Sequence, residues 1–559
     1  MHKQHNLFAL SLLFVFVMSV SYAQKSENET YTYPGLMKVY KTLDKTYENT
    51  KLEVIGETDS GYPLHVFVVE PKSEEFVTVF INNGIHPGEA CGIDASVNLL
   101  KEALKKGGFQ HVKLVVVPVY NVGGYLTQSC CTRANQNGPI NQGFRGNAQN
   151  LDLNRDFIKQ DSKNAQSLAK AYDMFKPHFF VDTHTSNGAD YQYTMTLIPT
   201  HHVKLPPSSA ALLQSELSPY LFKKMEKKRW PMSPYVNVFG NHTPNEGFSG
   251  FFDHPRYSTG YTALKGSIGF TTEAHMLKPY EDRVASTQTF LELLVSYAEK
   301  EYELVLESFK QAEEEIANST TEVLEWQLDP NNFETLEFKG YAFEFIASNV
   351  HDSLRLKYKR EEPETFEVNY YNAFLPVLEV DIPEAYVIPA GWHKVAEKLA
   401  INGVEVTQFS NDTTLWLTHY KIEAYDTYPS PYEGHYGHFN TAVASIQDSM
   451  IVSSRDFVVF TNQANKKLIV QTLEPQAKDS YFSWNAFDAI LQQKEGYSAY
   501  VFEDTAAELL RSNSRFNEQV EQWKMANPKA TSSEVLRYVY KNSPYAEKNL
   551  MRYPIMRLE

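Results

Sequence analysis

The chain has 559 residues, of which 42% are hydrophobic and 21% charged, an ordinary balance for a globular protein and a length for about two to four domains. Such a chain buries large cores without metal or disulfide support, so any metal site in it calls for a functional explanation. Its net charge of −16 excludes nucleic acid as a main partner, because phosphate binding needs clustered Lys and Arg.

Residues 1–23 are expected to form a secretory signal peptide. Lys3 and His5 precede the apolar run Leu7 to Val20, and Ser21-Tyr22-Ala23 supplies a small-residue cleavage signal. The run is short for a bilayer span. No Cys follows the cleavage point, and no other stretch reaches membrane-spanning length. The mature chain is therefore expected to be secreted or periplasmic, with no membrane span. Of the three cysteines, Cys91, Cys130 and Cys131, not all can pair within one chain. They read as buried small hydrophobes.

A helical lead-in at Met37 to Leu43 is followed by an extended stretch at Glu53-Val54-Ile55 and strands at Leu64 to Val69 and Phe76 to Asn82. The last is nearly all apolar and β-branched, as a strand buried on both faces should be. Asn83-Gly84 and Pro87-Gly88 signal turns. A helix is expected over Gly92 to Ala103 and a buried strand over His111 to Val119. From Gln128 to Asn150 the chain is polar and poor in apolar residues. Long loops of this kind inside compact domains are usually functional. Next come a helix at Ser162 to Met174, strands at Phe179 to Asp182 and Tyr193 to Ile198, helical pattern in Pro206 to Lys228, a strand at Ser267 to Thr272 and a long helix at Arg283 to Glu307.

Strands alternating with helices predict an α/β domain over residues 30–310, a mixed central sheet flanked by helices. In such sheets ligands bind beyond the carboxyl ends of strands. His86, His184 and Glu273 each stand directly after an apolar strand. Residues 325–475 hold short alternating strands, at Leu336 to Phe345, Phe366 to Tyr371, Thr413 to Lys421 and Phe457 to Val470, and predict a mostly β accessory module. Residues 476–559 are expected to form a helical C-terminal segment.

In Gly84-Ile85-His86-Pro87-Gly88-Glu89 a His and a Glu three residues apart follow a buried strand on a tight turn, so both can aim at one ion. Catalytic zinc commonly takes two His and one carboxylate, with the fourth position left to water. Val181-Asp182-Thr183-His184 offers the third ligand at a second strand end. The loop Phe144 to Phe157 packs Arg145, Arg155, Asp152, Asp156 and several Asn together. Arg binds carboxylates in bidentate fashion, so this loop suits an anionic group.

On these residues the sequence resembles the zinc carboxypeptidase family, the group containing carboxypeptidases A, B, D and E. The family's His-x-x-Glu motif matches His86 and Glu89, its Arg- and Asn-Arg-bearing motif runs from Arg145 to Arg155, its Asp-x-His matches Asp182 to His184, and its late Phe-Thr-x-Glu strand matches Phe270 to Glu273. All four stand in the family's order and span about half the chain. The resemblance implies one Zn2+ held by His86, Glu89 and His184, with Asp152 bonded behind His86. It implies that Arg145 polarises the scissile carbonyl, that Asn154 and Arg155 hold the substrate's terminal carboxylate, and that Glu273 is the general base. The implied partner is a peptide or protein substrate, and the implied reaction is hydrolysis of its C-terminal peptide bond.

Two departures bear on specificity. Where the family has Asn-Arg-Asn this chain has Asn154-Arg155-Asp156, and the extra acid is expected to weaken or reshape carboxylate binding. The family's substrate-capping Tyr has two candidates, Tyr257 and Tyr261, and spacing favours Tyr261. Arg133 competes with Arg145 for the electrostatic role, and Arg145 has the better spacing. Other readings on the same scaffold are a zinc amidase or deacylase acting on cell-wall or modified peptides, and a non-catalytic peptide-binding relative.

Overall fold

The computed structural model describes residues 28–559. The signal-peptide reading falls on residues outside that range. Among the described residues no helix is long and apolar enough to cross a membrane.

The N-terminal half is built on one mixed sheet of eight strands: β1 (Thr50–Glu57), β2 (Pro63–Val69), β3 (Val77–Asn82), β4 (Val112–Val117), β5 (Phe179–Ser186), β6 (Met195–Pro199), β7 (Met232–Pro234) and β9 (Ile268–His275), a short β8 (Phe248–Ser249) standing outside it. Their order is β1-β2-β4-β3-β5-β9-β6-β7. The central strands β4, β3, β5 and β9 run parallel. Both faces are covered, which is why these strands read as near-continuous apolar runs rather than as alternation. Alternate residues still divide between the faces, as a period of two requires. Val79 and Ile81 of β3 pack with the helices Cys91–Lys105 and Tyr280–Lys300, while Phe80 between them faces the other core. The helix Lys163–Phe175 covers that second face through Leu168, Ala171 and Tyr172.

The C-terminal half adds three smaller sheets. β10 (Thr321–Leu328) pairs with β13 (Phe374–Asp381), and β11 (Glu334–Ala347) forms a long hairpin with β12 (Leu354–Tyr371). The end of β12 then pairs with β8, so the hairpin is sewn to the N-terminal half. A six-stranded sheet follows, in the order β15-β18-β14-β19-β16-β17. Its strands are β14 (Ala385–Ile388), β15 (Thr407–Gln408), β16 (Thr413–Thr427), β17 (His438–Val452), β18 (Phe457–Phe460) and β19 (Arg552–Leu558). The helices Ala499–Ser512, Ser514–Ala526 and Ser532–Lys541 form a cluster of their own around Phe502, Val520 and Val539.

The architecture is the expected mixed sheet with flanking helices, followed by a β-rich region and C-terminal helices. It differs in detail. Phe457 to Val470 is a strand only to Phe460, and Lys466–Leu473 is a helix. Every residue of that helix except Lys467 is buried, so no polar face marks a helical period and the apolar run imitates a strand. The long helix read from Arg283 is two, Tyr280–Lys300 and Tyr302–Asn318, bent at Glu301. The C-terminal segment is not helical throughout, since β19 inserts between β14 and β16. Cys130 and Cys131 are bonded to each other in the exposed loop, and only Cys91 is a buried free thiol. The polar composition of that loop gives the pair no core to enter.

The two halves share one core. Leu64, Phe80, Ile158, Tyr172 and Tyr261 of the first half pack in a single cluster with Tyr386, Leu399, Val470, Tyr481 and Tyr553 of the second. Polar bonds cross the same boundary. Asn402 Oδ1 accepts from Gln160 Nε2 at 2.8 Å and from the Tyr261 hydroxyl at 2.7 Å.

Three histidines lie in apolar surroundings. His178 stands edge-on to Phe309, His201 beside Phe252 and Phe374, and His254 beside Phe252. Burial pushes them down to about 4, about 3 and about 4. The unfolded chain takes up protons at these positions near the ordinary histidine value, and the folded chain does so only well below it. Stability is therefore lost as pH falls through that window. The thermal midpoint is expected to drop steadily from pH 7 to pH 4.5. A midpoint that holds or rises over that range, followed by circular dichroism, contradicts this assignment.

Candidate metal centre and cleft

His86 and Glu89 sit on the turn that leaves β3. The chain reverses at Gly84, which has φ +67, and an added Cβ there would stand 2.9 Å from Val119 Cγ2. Only glycine takes that conformation in that space. Glu89 N then donates to His86 O at 2.8 Å, closing the turn and bringing both side chains to one side. Gly92 opens the next helix and lies so close to β5 that a Cβ would overlap Thr183. This close approach seats Glu89 over the end of β5, where Thr185 N donates to Glu89 Oε2 at 2.8 Å.

His184 lies on β5 and pairs in register with Glu273 on β9. Adjacent strands thus place both side chains beside the turn. His86, Glu89 and His184 are all buried and offer ligand atoms within 4.8 Å of one another. The two rings lie edge to face with centroids 5.0 Å apart. Each ring is held by its far nitrogen. His86 Nε2 donates to Asp152 Oδ1 at 2.9 Å, and His184 Nε2 donates to Asp182 Oδ2 at 2.9 Å. Asn82 Nδ2 in turn donates to Asp182 Oδ1 at 3.1 Å. The near nitrogens, both Nδ1, point at Glu89, at 3.2 Å from Oε1 and 3.3 Å from Oε2.

This donor set fits a zinc ion. His86 Nδ1 is buried and makes no hydrogen bond, an unpaired state that costs free energy unless a ligand takes it up. A carboxylate behind each ligating imidazole fixes its tautomer and ring plane, the usual support of a zinc histidine.

Around this centre opens a cleft of about 510 Å³ lined by His86, Glu89, Arg133, Arg145, Asn154, Arg155, His184, Tyr257 and Glu273, among others. Burial, reinforced by the charge of Glu89 and opposed by His184, pushes the Glu273 carboxyl up to about 8. A metal cation beside it acts in the opposite direction. Asp152 is held well below the usual carboxylate range, because His86, Arg145 and Arg155 outweigh its burial. Arg145 Nε donates to Asp152 Oδ2 at 2.9 Å, and Arg133 Nη2 donates to Glu89 Oε1 at 2.8 Å. Both guanidinium groups flank the centre.

Two expectations are revised. Tyr261 does not face the cleft. It is buried in the core shared by the two halves, and its hydroxyl is spent on Asn402. Tyr257 lines the cleft instead, with the Arg155 guanidinium 4.5 Å from its ring centre. The helix Ser258–Leu264 starts right after Tyr257, so residue 261 is carried inward by the first turn. Asp156 does not disturb Arg155. It is fully buried; its Oδ1 accepts from Lys159 Nζ at 2.8 Å, and its Oδ2 accepts from Ser162 N at 2.9 Å and Ser162 Oγ at 2.5 Å.

Sequence reasoning missed Tyr235 and Asp253, which also line the cleft. The stretch Tyr428 to Phe439 gives no sign of the site in its sequence either. Tyr432 and Glu433 in that stretch bond to Arg155 and Asp152. No local signal marks these contacts, which join residues far apart in the chain.

Residues 36–196 match the family model described as zinc carboxypeptidase. Among curated proteins the chain is similar to Carboxypeptidase 2 of Trichophyton rubrum, 19% identical over 436 residues, covering 74% of this chain and 75% of that protein. It is also similar to Carboxypeptidase 2 of Trichophyton equinum, 21% identical over 442 residues with the same coverage. Among solved structures it is similar to a metallo-carboxypeptidase from Burkholderia cenocepacia, at 16% identity and a TM-score of 0.37, covering 48% of this chain and 69% of that one. A metallo-carboxypeptidase from Pseudomonas aeruginosa, in complex with (2-guanidinoethylmercapto)succinic acid, gives 14% identity and a TM-score of 0.38, covering 50% and 71%. The matched stretch, residues 36–196, holds His86, Glu89, Arg145, Asn154, Arg155 and His184, so the chain contains a segment similar to a zinc carboxypeptidase domain.

Proposed function

We propose that the protein is an exported metallocarboxypeptidase that binds one zinc ion and removes residues from the C-terminus of peptides. The observation that carries this reading is the convergence of His86 Nδ1, His184 Nδ1 and Glu89 on one point, with Glu273 beside them and Asn154 and Arg155 across the same cleft. Export rests on the N-terminal pattern ending at Ala23.

His86, Glu89 and His184 would hold the ion. When bound, zinc supplies a Lewis acid that polarises a carbonyl and lowers the pKa of water. Glu273 takes a proton from the attacking water at its carboxylate and returns it to the leaving amine nitrogen. Arg145, with Arg133 near it, offers positive charge where the carbonyl oxygen becomes negative, in a cleft whose walls lower the local dielectric. Arg155 and Asn154 take the substrate's terminal carboxylate. Tyr257, stacked on Arg155, closes the side of that clamp.

Four outcomes follow. Glu273→Gln is expected to keep one equivalent of zinc and lose about 10²- to 10⁴-fold in turnover. Full activity in that variant removes Glu273 from the mechanism. Wild-type zinc-loaded protein is expected to shorten free-acid peptides by one residue from the C-terminus, read by mass spectrometry, and to stop on addition of a chelator. Internal cuts, or release of acyl groups, count for the amidase reading instead. Asp182→Asn is expected to bind zinc about 10- to 100-fold more weakly, measured by competition with a chelating dye, and an unchanged affinity contradicts the role given to Asp182. The intact mass of the exported protein is expected to begin at Gln24.

A further inference from the structure

The turn between β16 and β17 reaches from the C-terminal half onto the segment that carries the carboxylate clamp. Tyr432 and His435 exchange backbone bonds, Tyr432 N to His435 O at 2.8 Å and His435 N to Tyr432 O at 3.0 Å. The two residues between them, Glu433 and Gly434, have φ +49 and φ +81. This is a two-residue hairpin turn, whose first central position normally holds Asn, Asp or Gly. A glutamate there is strained, because its Cβ crowds the backbone in the left-handed region. Strain of this kind persists where something outside the turn holds the residue, and it points to function.

What holds it is the cleft. Glu433 Oε2 accepts from Asp152 N at 2.7 Å. Tyr432 Oη accepts from Arg155 Nε at 2.6 Å. His435 Nε2 donates to Asp161 Oδ2 at 2.7 Å. Three residues of one turn thus grip one stretch of the other half. The turn is braced from behind. The Tyr432 ring lies nearly parallel to Trp484, and the Arg256 guanidinium sits 4.9 Å from the Trp484 ring centre while bonded to Asp479.

The consequence falls on Arg155. Its Nε is taken by Tyr432, its Nη1 donates to Asn154 O at 2.8 Å and lies 3.9 Å from Asp152 Oδ2, and its flat face rests on Tyr257. Nη2 has no protein partner among the described residues. A carboxylate approaching an arginine can use the Nε and Nη2 edge or the Nη1 and Nη2 end. Tyr432 closes the first mode, so a carboxylate must approach from the outer end, where Nη2 is open and Nη1 is shared with Asn154 O. Glu433 meanwhile fixes the backbone of Asp152, whose side chain holds both His86 and Arg145.

We infer that the Tyr432–His435 turn is a positioning element of the active site, supplied in cis by the C-terminal half, which fixes Arg155 so that only its outer end meets the terminal carboxylate of a peptide. Tyr432 acts through Arg155, and Glu433 acts through Asp152. The inference rests on the carboxypeptidase reading of that clamp.

The test uses the full chain loaded with zinc, in the Glu273→Gln background so that peptide is bound and not cut. The probes are a fluorescent tripeptide with a free C-terminal carboxylate and the same tripeptide as its C-terminal amide. Tyr432→Phe is expected to weaken free-acid binding about tenfold, the scale of a lost hydrogen bond to a charged group, and to change amide binding less than about twofold. In the turnover-competent background KM is expected to rise more than kcat falls. Equal effects on the two peptides, or no effect on either, overturn the inference, as does failure of both peptides to bind. Glu433→Gly separates positioning from folding, since it removes the carboxylate while relieving the positive φ. Its melting midpoint is expected to stay at or above that of the wild type while free-acid affinity falls. A lower midpoint with both affinities lost together marks the turn as scaffold only and overturns the inference. Absence of turnover in the wild type strikes the hydrolase reading alone, and the binding arm still decides what the turn does.

Discussion

Two imidazoles share one ion only when each is held by the nitrogen that the ion does not use. Asp152 and Asp182 do this holding, each at 2.9 Å from a ring Nε2. Much of the surrounding structure serves to keep these two carboxylates in place. Asp182 is fixed by the register of β5 against β3, through Asn82. Asp152 has no strand under it. It is fixed by side-chain bonds from His86, Arg145 and Asn154 N, and by a backbone bond to Glu433. The same orienting task is thus met once by a rigid sheet and once by a web of charge-assisted bonds on a loop.

The two solutions have different physical character. A carboxylate on a buried central strand moves only if the sheet moves. A carboxylate on a polar loop depends on every partner, since removing one leaves the others to redistribute around a buried charge. Asp152 carries more partners than Asp182 for this reason. The placement of Asp156 belongs to the same economy of charge. By taking Lys159 and Ser162 for itself, it anchors the far side of the loop and leaves Arg155 to the cleft.

The sheet and the centre were legible in the sequence because their signals are local. β3, β5 and β9 are short apolar runs with a ligand or an acid at the end, and their pairing follows from the α/β pattern. The loop from Arg145 to Arg155 announced itself by composition. Three features were not legible for three reasons. Tyr257 and Tyr261 differ only in helical phase, and the start of a seven-residue helix decides which faces the cleft. Lys466–Leu473 hides its period because only Lys467 on it is less than buried. Tyr432 and Glu433 are joined to their targets across 277 and 281 residues of chain, and an aromatic, polar stretch reads the same whether it ends in solvent or on another half of the protein.

The core shared by the two halves has a consequence for modularity. Leu64, Phe80, Ile158 and Tyr261 face Tyr386, Leu399, Val470 and Tyr553 in one continuous packing. A fragment cut out after the helix Tyr302–Asn318 would keep the ligands, the acid and the clamp, yet it would expose that whole apolar face, a surface on which unfolded and half-folded chains stick to one another. The packing unit here is the pair of halves together. A graft of the motif-bearing half onto another scaffold transfers the letters of the site without the wall they lean on.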